Sequence, residues 1–304
     1  MAVPVSVPAN RPLSGVIWMI VTGLCFVAVT ALVKSLGKEV PAAQGAFLRY
    51  ILGLVFILPI LGRMLAARPS RPELGLFWLR GVAHALGMIC WFYALARITI
   101  AEVTAMNYLA PVYVSLGAVV LLGETFAIRR LTAIVAALIG AVVILRPGFR
   151  ELSTGHLAMI FTAILFAISY LIAKKMSGRF DASVIVGWLS VTVAVVLAPF
   201  AVAVWEPVTA EQVFRLFLIA ACATVGHYCM TRAFRAAPVS VTQPAAFLQL
   251  VWAVLTGMVF FGEPADTWVM LGGAIIVGAV SFISWREAQL KRRAITSSGG
   301  MNQY

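Results

Sequence analysis

Apolar residues along this chain gather into ten runs, each separated from the next by charged residues or by Pro and Gly. The runs fall near 13–34, 43–62, 74–96, 101–122, 130–146, 155–174, 183–204, 212–235, 240–261 and 266–285. Most approach the roughly 20 residues that an α-helix needs to cross the hydrocarbon core of a bilayer. The pattern predicts an all-α polytopic membrane protein with ten transmembrane helices, spans 1 to 10 in chain order. Connecting segments are short, so consecutive spans are expected to be antiparallel neighbours.

Composition narrows the class further. The 304 residues are 62% hydrophobic and 11% charged, with a mean hydropathy of +1.00. A soluble domain carries about 25% charged residues, and ten spans with their loops leave no room for a separate catalytic domain. The first apolar run, Leu13 to Val33, is longer than the roughly 7 to 15 residues of a signal peptide core, so it is expected to stay as span 1. Cys25, Cys90, Cys222 and Cys229 lie inside apolar runs at spacings unlike any zinc motif. They are expected to be packing residues, and the chain calls for no metal or cofactor.

The net charge of +12 does not indicate nucleic acid, because basic residues sit in small groups between apolar runs. Cytoplasmic loops beside anionic lipid account for it. With the N-terminus inside, the cytoplasmic segments hold Arg11, Arg63, Arg68, Arg71, Arg129, Arg130, Lys174, Lys175, Arg179, Arg232, Arg235, Arg286, Lys291, Arg292 and Arg293. The other side holds Lys34, Lys38, Arg97, Arg146 and Arg150. This bias predicts a bacterial cytoplasmic (inner) membrane protein with both termini, 1–12 and the basic tail 286–304, in the cytoplasm. Residues Ala294 to Tyr304 are polar and expected to be disordered.

Two halves repeat. At an offset of 139, Gly87 meets Gly226, Ala94 meets Ala233, Tyr108 meets Phe247, Gly123 meets Gly262 and Glu124 meets Glu263. At 140, Gly15 meets Gly155, Thr22 meets Thr162, Phe26 meets Phe166 and Lys34 meets Lys174. The halves are 13–146 and 155–285. Five spans is an odd number, so the second copy enters the membrane from the opposite face. Such inverted repeats place a substrate site near the midplane and allow alternating access, whereas a helical scaffold needs no internal symmetry.

Ordered motifs carry a resemblance. They are Phe47-Leu48-Arg49-Tyr50, Leu79-Arg80-Gly81, Trp91-Phe92-Tyr93-Ala94-Leu95-Ala96, Ala110-Pro111 and Leu122-Gly123-Glu124 in the first half. The second half has Ala233-Phe234-Arg235-Ala236-Ala237-Pro238, Leu250-Val251-Trp252-Ala253 and Phe261-Gly262-Glu263-Pro264. In this order the chain resembles the EamA-type, ten-helix members of the drug/metabolite transporter superfamily over about residues 13 to 285. Among them it looks most like the YddG-like amino acid exporters and the S-adenosylmethionine carriers. The resemblance implies a basket-like bundle around a central cavity that takes small metabolites.

Polar groups at membrane depth are costly and tend to face a cavity or a partner. In span 4, Thr104, Asn107, Tyr108 and Ser115 share a face with Pro111; in span 9 Gln243 and Phe247 are the repeat mates of Thr104 and Tyr108, and Gln249 shares an adjoining face with Thr242 and Thr256. His84 and His227 lie mid-span, the latter beside Tyr228, and Trp91 offers an aromatic wall. Interhelical hydrogen bonding is the alternative for each polar group, and packing or an interfacial belt for each Trp. Arg49 lies deeper in its span than Arg80 or Arg215, which can reach a helix end. Each could bind a substrate carboxylate or serve a structural role. The Gly-Glu pairs at 123–124 and 262–263 read as turn devices, with each Glu favouring the helix that follows.

Neither a phosphate-binding G-x-x-x-x-G-K-[ST] loop nor an acidic residue at the centre of a span is present. H-E-x-x-H and similar metal motifs are also missing, so an intramembrane enzyme is not expected. The expected function is a carrier of small metabolites, with amino acid export leading and S-adenosylmethionine uptake or exchange second. A channel is the rival from another class. Membrane lipids are the only other partners expected, and no oligomeric state is assigned.

Overall fold

The computed structural model describes residues 12–122, 128–146, 148, 151–176, 179–237, 245 and 248–299. Among them are twelve α-helices: α1 (Pro12–Leu36), α2 (Ala42–Gly53), α3 (Leu61–Ala66), α4 (Arg71–Leu95), α5 (Ile100–Asn107), α6 (Ala110–Leu122), α7 (Ile128–Leu145), α8 (Thr154–Met176), α9 (Ala182–Ala203), α10 (Ala210–Ala236), α11 (Leu248–Phe261) and α12 (Thr267–Gly299). Among the described residues, six segments are long and apolar enough to cross a membrane: Leu13–Leu36, Ala42–Ala66, Arg71–Leu95, Thr154–Ala173, Ser183–Ala203 and Ala210–Met230. Leu131–Leu145, Leu248–Phe261 and Thr267–Phe282 are shorter apolar stretches.

Two predicted spans are interrupted. Span 2 passes from α2 into a 3-10 stretch, Leu54–Ile60, before α3. Pro59 lies inside that stretch and lacks the N–H that a continuous α-helix would use. Span 4 breaks at Tyr108 and Leu109, between α5 and α6. Pro111 follows, and its missing donor leaves the Asn107 carbonyl without the regular helical partner. At the other extreme α12 continues to Gly299, so residues 294–299 are helical where disorder was expected. Arg286, Lys291, Arg292 and Arg293 precede that segment on the same helix.

Packing is organised in exchangeable pairs. Helix α1 lies along α10 and α4 along α8, while α2 meets α9 and α7 meets α12. Helices α1 and α11 touch, as do α6 and α8; α2 also touches α10, and α4 touches α9. Interchanging the two sequence halves turns each of these contacts into another of the set or into itself.

Close approach at these crossings depends on small residues, because lipid tails give apolar helices no hydrophobic reason to associate. A Cβ on Gly81 would sit 2.6 Å from the Thr192 Cβ, and one on Gly87 would sit 2.7 Å from the Phe166 ring. The main core draws buried residues from every described α-helix except α3. Large apolar side chains such as Phe161, Val195, Val251 and Phe260 remain on the outside. An exterior of this kind suits lipid and would be a liability in water.

The ends of the helices are fixed by local chemistry. Ser70 and Glu73 form a capping box at the start of α4, Thr99 and Glu102 one at α5, and Thr209 and Gln212 one at α10. Gly37 and Gly262 end α1 and α11 at φ of 57° and 62°, a conformation that costs glycine little. Gln44, fully buried, clamps the α9–α10 link by donating to Glu206 O at 2.6 Å and accepting from Glu206 N at 2.9 Å.

Candidate functional site

The residues that repeat in sequence meet one another in space. The Thr22 hydroxyl of α1, which donates to Trp18 O at 2.9 Å, lies 3.4 Å from the Gly226 carbonyl on α10, and the Thr162 hydroxyl of α8, which donates to Ala158 O at 2.8 Å, lies at the same distance from that of Gly87 on α4. Beside each contact a phenylalanine lies against the glycine: Phe26 on Gly226 and Phe166 on Gly87. Each phenylalanine then carries a histidine. His227 approaches Phe26 edge-on with ring centroids 5.1 Å apart, and His84 stacks on Phe166 at 4.7 Å.

His84 is buried, its Nδ1 3.3 Å from the Ser169 hydroxyl and its ring edge-on to Tyr50. Arg49 of α2 lies within electrostatic reach of both His84 and His227. Its guanidinium sits 4.7 Å over the Tyr50 ring, and its Nη1 approaches the Met88 sulfur at 3.9 Å. Arg80, on the same side of α4, donates to Ile185 O at 2.8 Å. His227 and Tyr170 keep exposed surface, Tyr170 at 43%.

The other predicted site residues are distributed more widely. Thr104 is buried on α5, and Asn107 ends that helix with a buried Oδ1 that has no hydrogen-bond partner. Tyr108 sits in the break before α6 and packs on the core. The neighbours of α5 are chiefly α11, α12 and α8, whereas the histidines belong to the pairs α4–α8 and α1–α10. Trp91 packs beside Phe92. Tyr228 is 56% exposed and pairs with Trp18, and Arg232 donates to its hydroxyl at 3.1 Å. Gln249 faces α1, where a Cβ on Gly23 would lie 3.5 Å from its own Cβ. The Ser115 side chain, Gln243 and Phe247 lie outside the described residues.

Sequence reasoning missed a polar cluster at the end where α1 finishes. Lys34 pairs with Glu263 and donates to Ile98 O at 2.8 Å. The second oxygen of Glu263 accepts from the Ile100 N–H at 2.9 Å. Glu263 therefore caps α5 rather than the helix that follows it, where Asp266 accepts from Trp268 N at 2.9 Å. Nearby, the capping residue Glu102 also meets His156 Nε2 at 3.2 Å, and Arg146 pairs with Asp266. These contacts tie α1, α5, α7, α8 and the α11–α12 link together around a cavity of about 330 Å³. Each pair joins residues far apart in sequence, so helical periodicity gave no sign of them. Glu124 and the Lys174 side chain, their register mates, lie outside the described residues.

Known proteins resemble this chain along its length. A riboflavin transporter of Rhizobium johnstonii is 31% identical over 95% of this chain and 96% of its own. The pseudopaline exporter CntI of Pseudomonas aeruginosa is 26% identical over 89% and 96%, and an S-adenosylmethionine uptake transporter of Rickettsia prowazekii 26% over 90% and 94%. A solved crystal structure of 18% identity superposes with a TM-score of 0.59 over 91% of this chain and 99% of that one, a likeness of fold alone. These named relatives are transporters, not enzymes. The model of the EamA-like transporter family matches residues 13–146 and again 153–285, and the chain belongs to that family of membrane transporters.

Proposed function

We propose that the chain is a secondary carrier that moves a small metabolite across the cytoplasmic membrane by alternating access between two inverted five-helix halves. The observation that carries this reading is the reciprocal pair of contacts, Thr22 with Gly226 and Thr162 with Gly87. Helix pairs related by the sequence register use the same chemistry at both crossings. Two arrangements of near-equal energy are then available by exchanging the roles of the halves. The positive-inside count assigns both termini to the cytoplasm and the Lys34–Glu263 cluster to the opposite face. In the arrangement described, that cluster fastens the outer end.

Amino acid export is the cargo reading we favour. The inner groups near the two histidines are aromatic, neutral polar and basic, a set that accepts a zwitterion and offers a purely cationic molecule little. Similarity to named carriers keeps riboflavin and S-adenosylmethionine as alternatives. Purified protein in liposomes, tested with radiolabelled amino acids, riboflavin and S-adenosylmethionine, separates these cargoes. Saturable uptake of one or more amino acids is expected. Uptake confined to either of the other compounds would overturn the amino acid reading, and unsaturable flux would indicate a channel.

A further inference from the structure

Among the described residues, the interior around His84 and His227 contains cationic arginines and no acid to balance them. Arg49 has its Nε buried without a hydrogen-bond partner, and its described contacts are a methionine sulfur and a tyrosine face. Arg80, 5% exposed, satisfies one nitrogen on Ile185 O and also leaves Nε without a partner. Apart from Glu287, which lies in α12 beyond its apolar stretch Thr267–Phe282, every described Asp and Glu lies in a linker, a cap or the first turn of a helix. A guanidinium held at membrane depth without a counter-ion is costly, and such groups mark substrate paths.

We infer that Arg49 binds an oxyanion of the cargo, a carboxylate or phosphate group, in the space between α2, α4 and α10. Arg49 is the eighth residue of α2 and so lies about 10 Å below the start of that helix, at 1.5 Å per residue. Its planar fork matches a carboxylate or phosphate in two parallel hydrogen bonds, and the neighbouring histidines can donate to the same group. Tyr50 and Met88 hold the guanidinium from one side and offer it no stronger acceptor. Arriving anion thus supplies the missing counter-charge, and departure restores an unpaired cation, which favours release over tight retention. The inference rests on the carrier reading but concerns binding, which can be measured without transport.

The test uses the full chain in detergent and in liposomes. Probes are L-phenylalanine, its methyl ester, riboflavin, riboflavin 5′-phosphate, inorganic phosphate and S-adenosylmethionine. Binding is read from the shift in unfolding temperature, and transport from counterflow of whichever probe binds. At least one probe bearing a carboxylate or phosphate is expected to bind the wild type. Arg49→Gln should weaken that binding at least tenfold, Arg49→Lys should restore part of it, and Arg63→Gln on the exposed α3 should leave it unchanged. Preference for L-phenylalanine over its ester would assign a carboxylate, and preference for riboflavin 5′-phosphate over riboflavin would assign a phosphate. Equal binding of each probe bearing the oxyanion and its counterpart lacking it would overturn the inference, as would unchanged affinity in Arg49→Gln. If Arg49→Gln does not insert, the comparison of acid with ester on the wild type decides alone. Binding that depends on Arg49 with no counterflow would remove the carrier reading and keep the anion site; counterflow indifferent to Arg49 would do the reverse.

Discussion

Gly140 of α7 and Gly272 of α12 face each other so closely that a Cβ on Gly140 would lie 2.7 Å from the Gly272 carbonyl oxygen, and one on Gly272 would lie 2.5 Å from that of Gly140. Ile276 and Ile144 flank the contact in the same reciprocal way. Backbone cannot yield as a flexible side chain can, so a methyl group at either position forces the helices apart. Gly140→Ala or Gly272→Ala should cost ~1–3 kcal/mol, the usual cost of overpacking. The check is the unfolding temperature in detergent. An unchanged value would mean that the crossing is looser than described.

A second crossing predicts a compensation. A Cβ on Gly87 would meet the Phe166 ring at 2.7 Å, and one on Gly226 would meet the Phe26 ring at 3.0 Å. Gly87→Ala is therefore expected to be the more damaging of the two, and Phe166→Leu should recover part of its loss. A double-mutant cycle on unfolding temperature measures the coupling. Independent, additive effects would contradict the contact.

Glu263 holds the outer end through two partners, Lys34 and the Ile100 N–H. Glu263→Gln keeps much of the shape and removes the charge. With the native cysteines replaced by Ser, a cysteine at the buried Ile98 should react on the order of tenfold faster with an impermeant maleimide added outside, the effect of ~1.4 kcal/mol in an opening equilibrium. The register mate, Glu124→Gln, should slow the same labelling by favouring opening at the other face. Equal responses to both substitutions would argue against exchange of roles between the halves.

His227 and Tyr108 represent the two groups of site residues, one beside Phe26 and the other at the Pro111 break. His227→Ala and Tyr108→Ala should each lower the initial rate of transport at least fivefold without changing the amount inserted in the membrane. Rates equal to wild type in both variants would remove these positions from the substrate path.

Much of the architecture could be read from residue order, because apolar runs of membrane-spanning length leave little choice but helix. The offsets near 140 were informative for a physical reason: each crossing packs a phenylalanine, Phe26 or Phe166, against a glycine, Gly226 or Gly87, where a Cβ would collide. Interruptions at Pro59 and Pro111 were harder to see, since the apolar pattern continues through both prolines. The pairings of Lys34 with Glu263 and of Glu102 with His156 depend on tertiary placement, and neither residue of a pair signals its partner locally. Glu263 was read as serving its own following helix; the tight turn at Gly262 instead presents it to α5. For the site, the two histidines were found from their depth alone, whereas Arg49 acquired its importance only when the fold brought it within electrostatic reach of both.

Counterflow in liposomes containing only this protein tests the central claim most directly. Vesicles are loaded with an unlabelled compound identified by the uptake screen, diluted into a trace of the same compound labelled, and sampled over time. A carrier that alternates between two faces should accumulate label transiently above the equilibrium level, with a rate that saturates as the internal concentration rises. Entry of label that only approaches equilibrium, at a rate indifferent to what is inside, would contradict alternating access and indicate a pore.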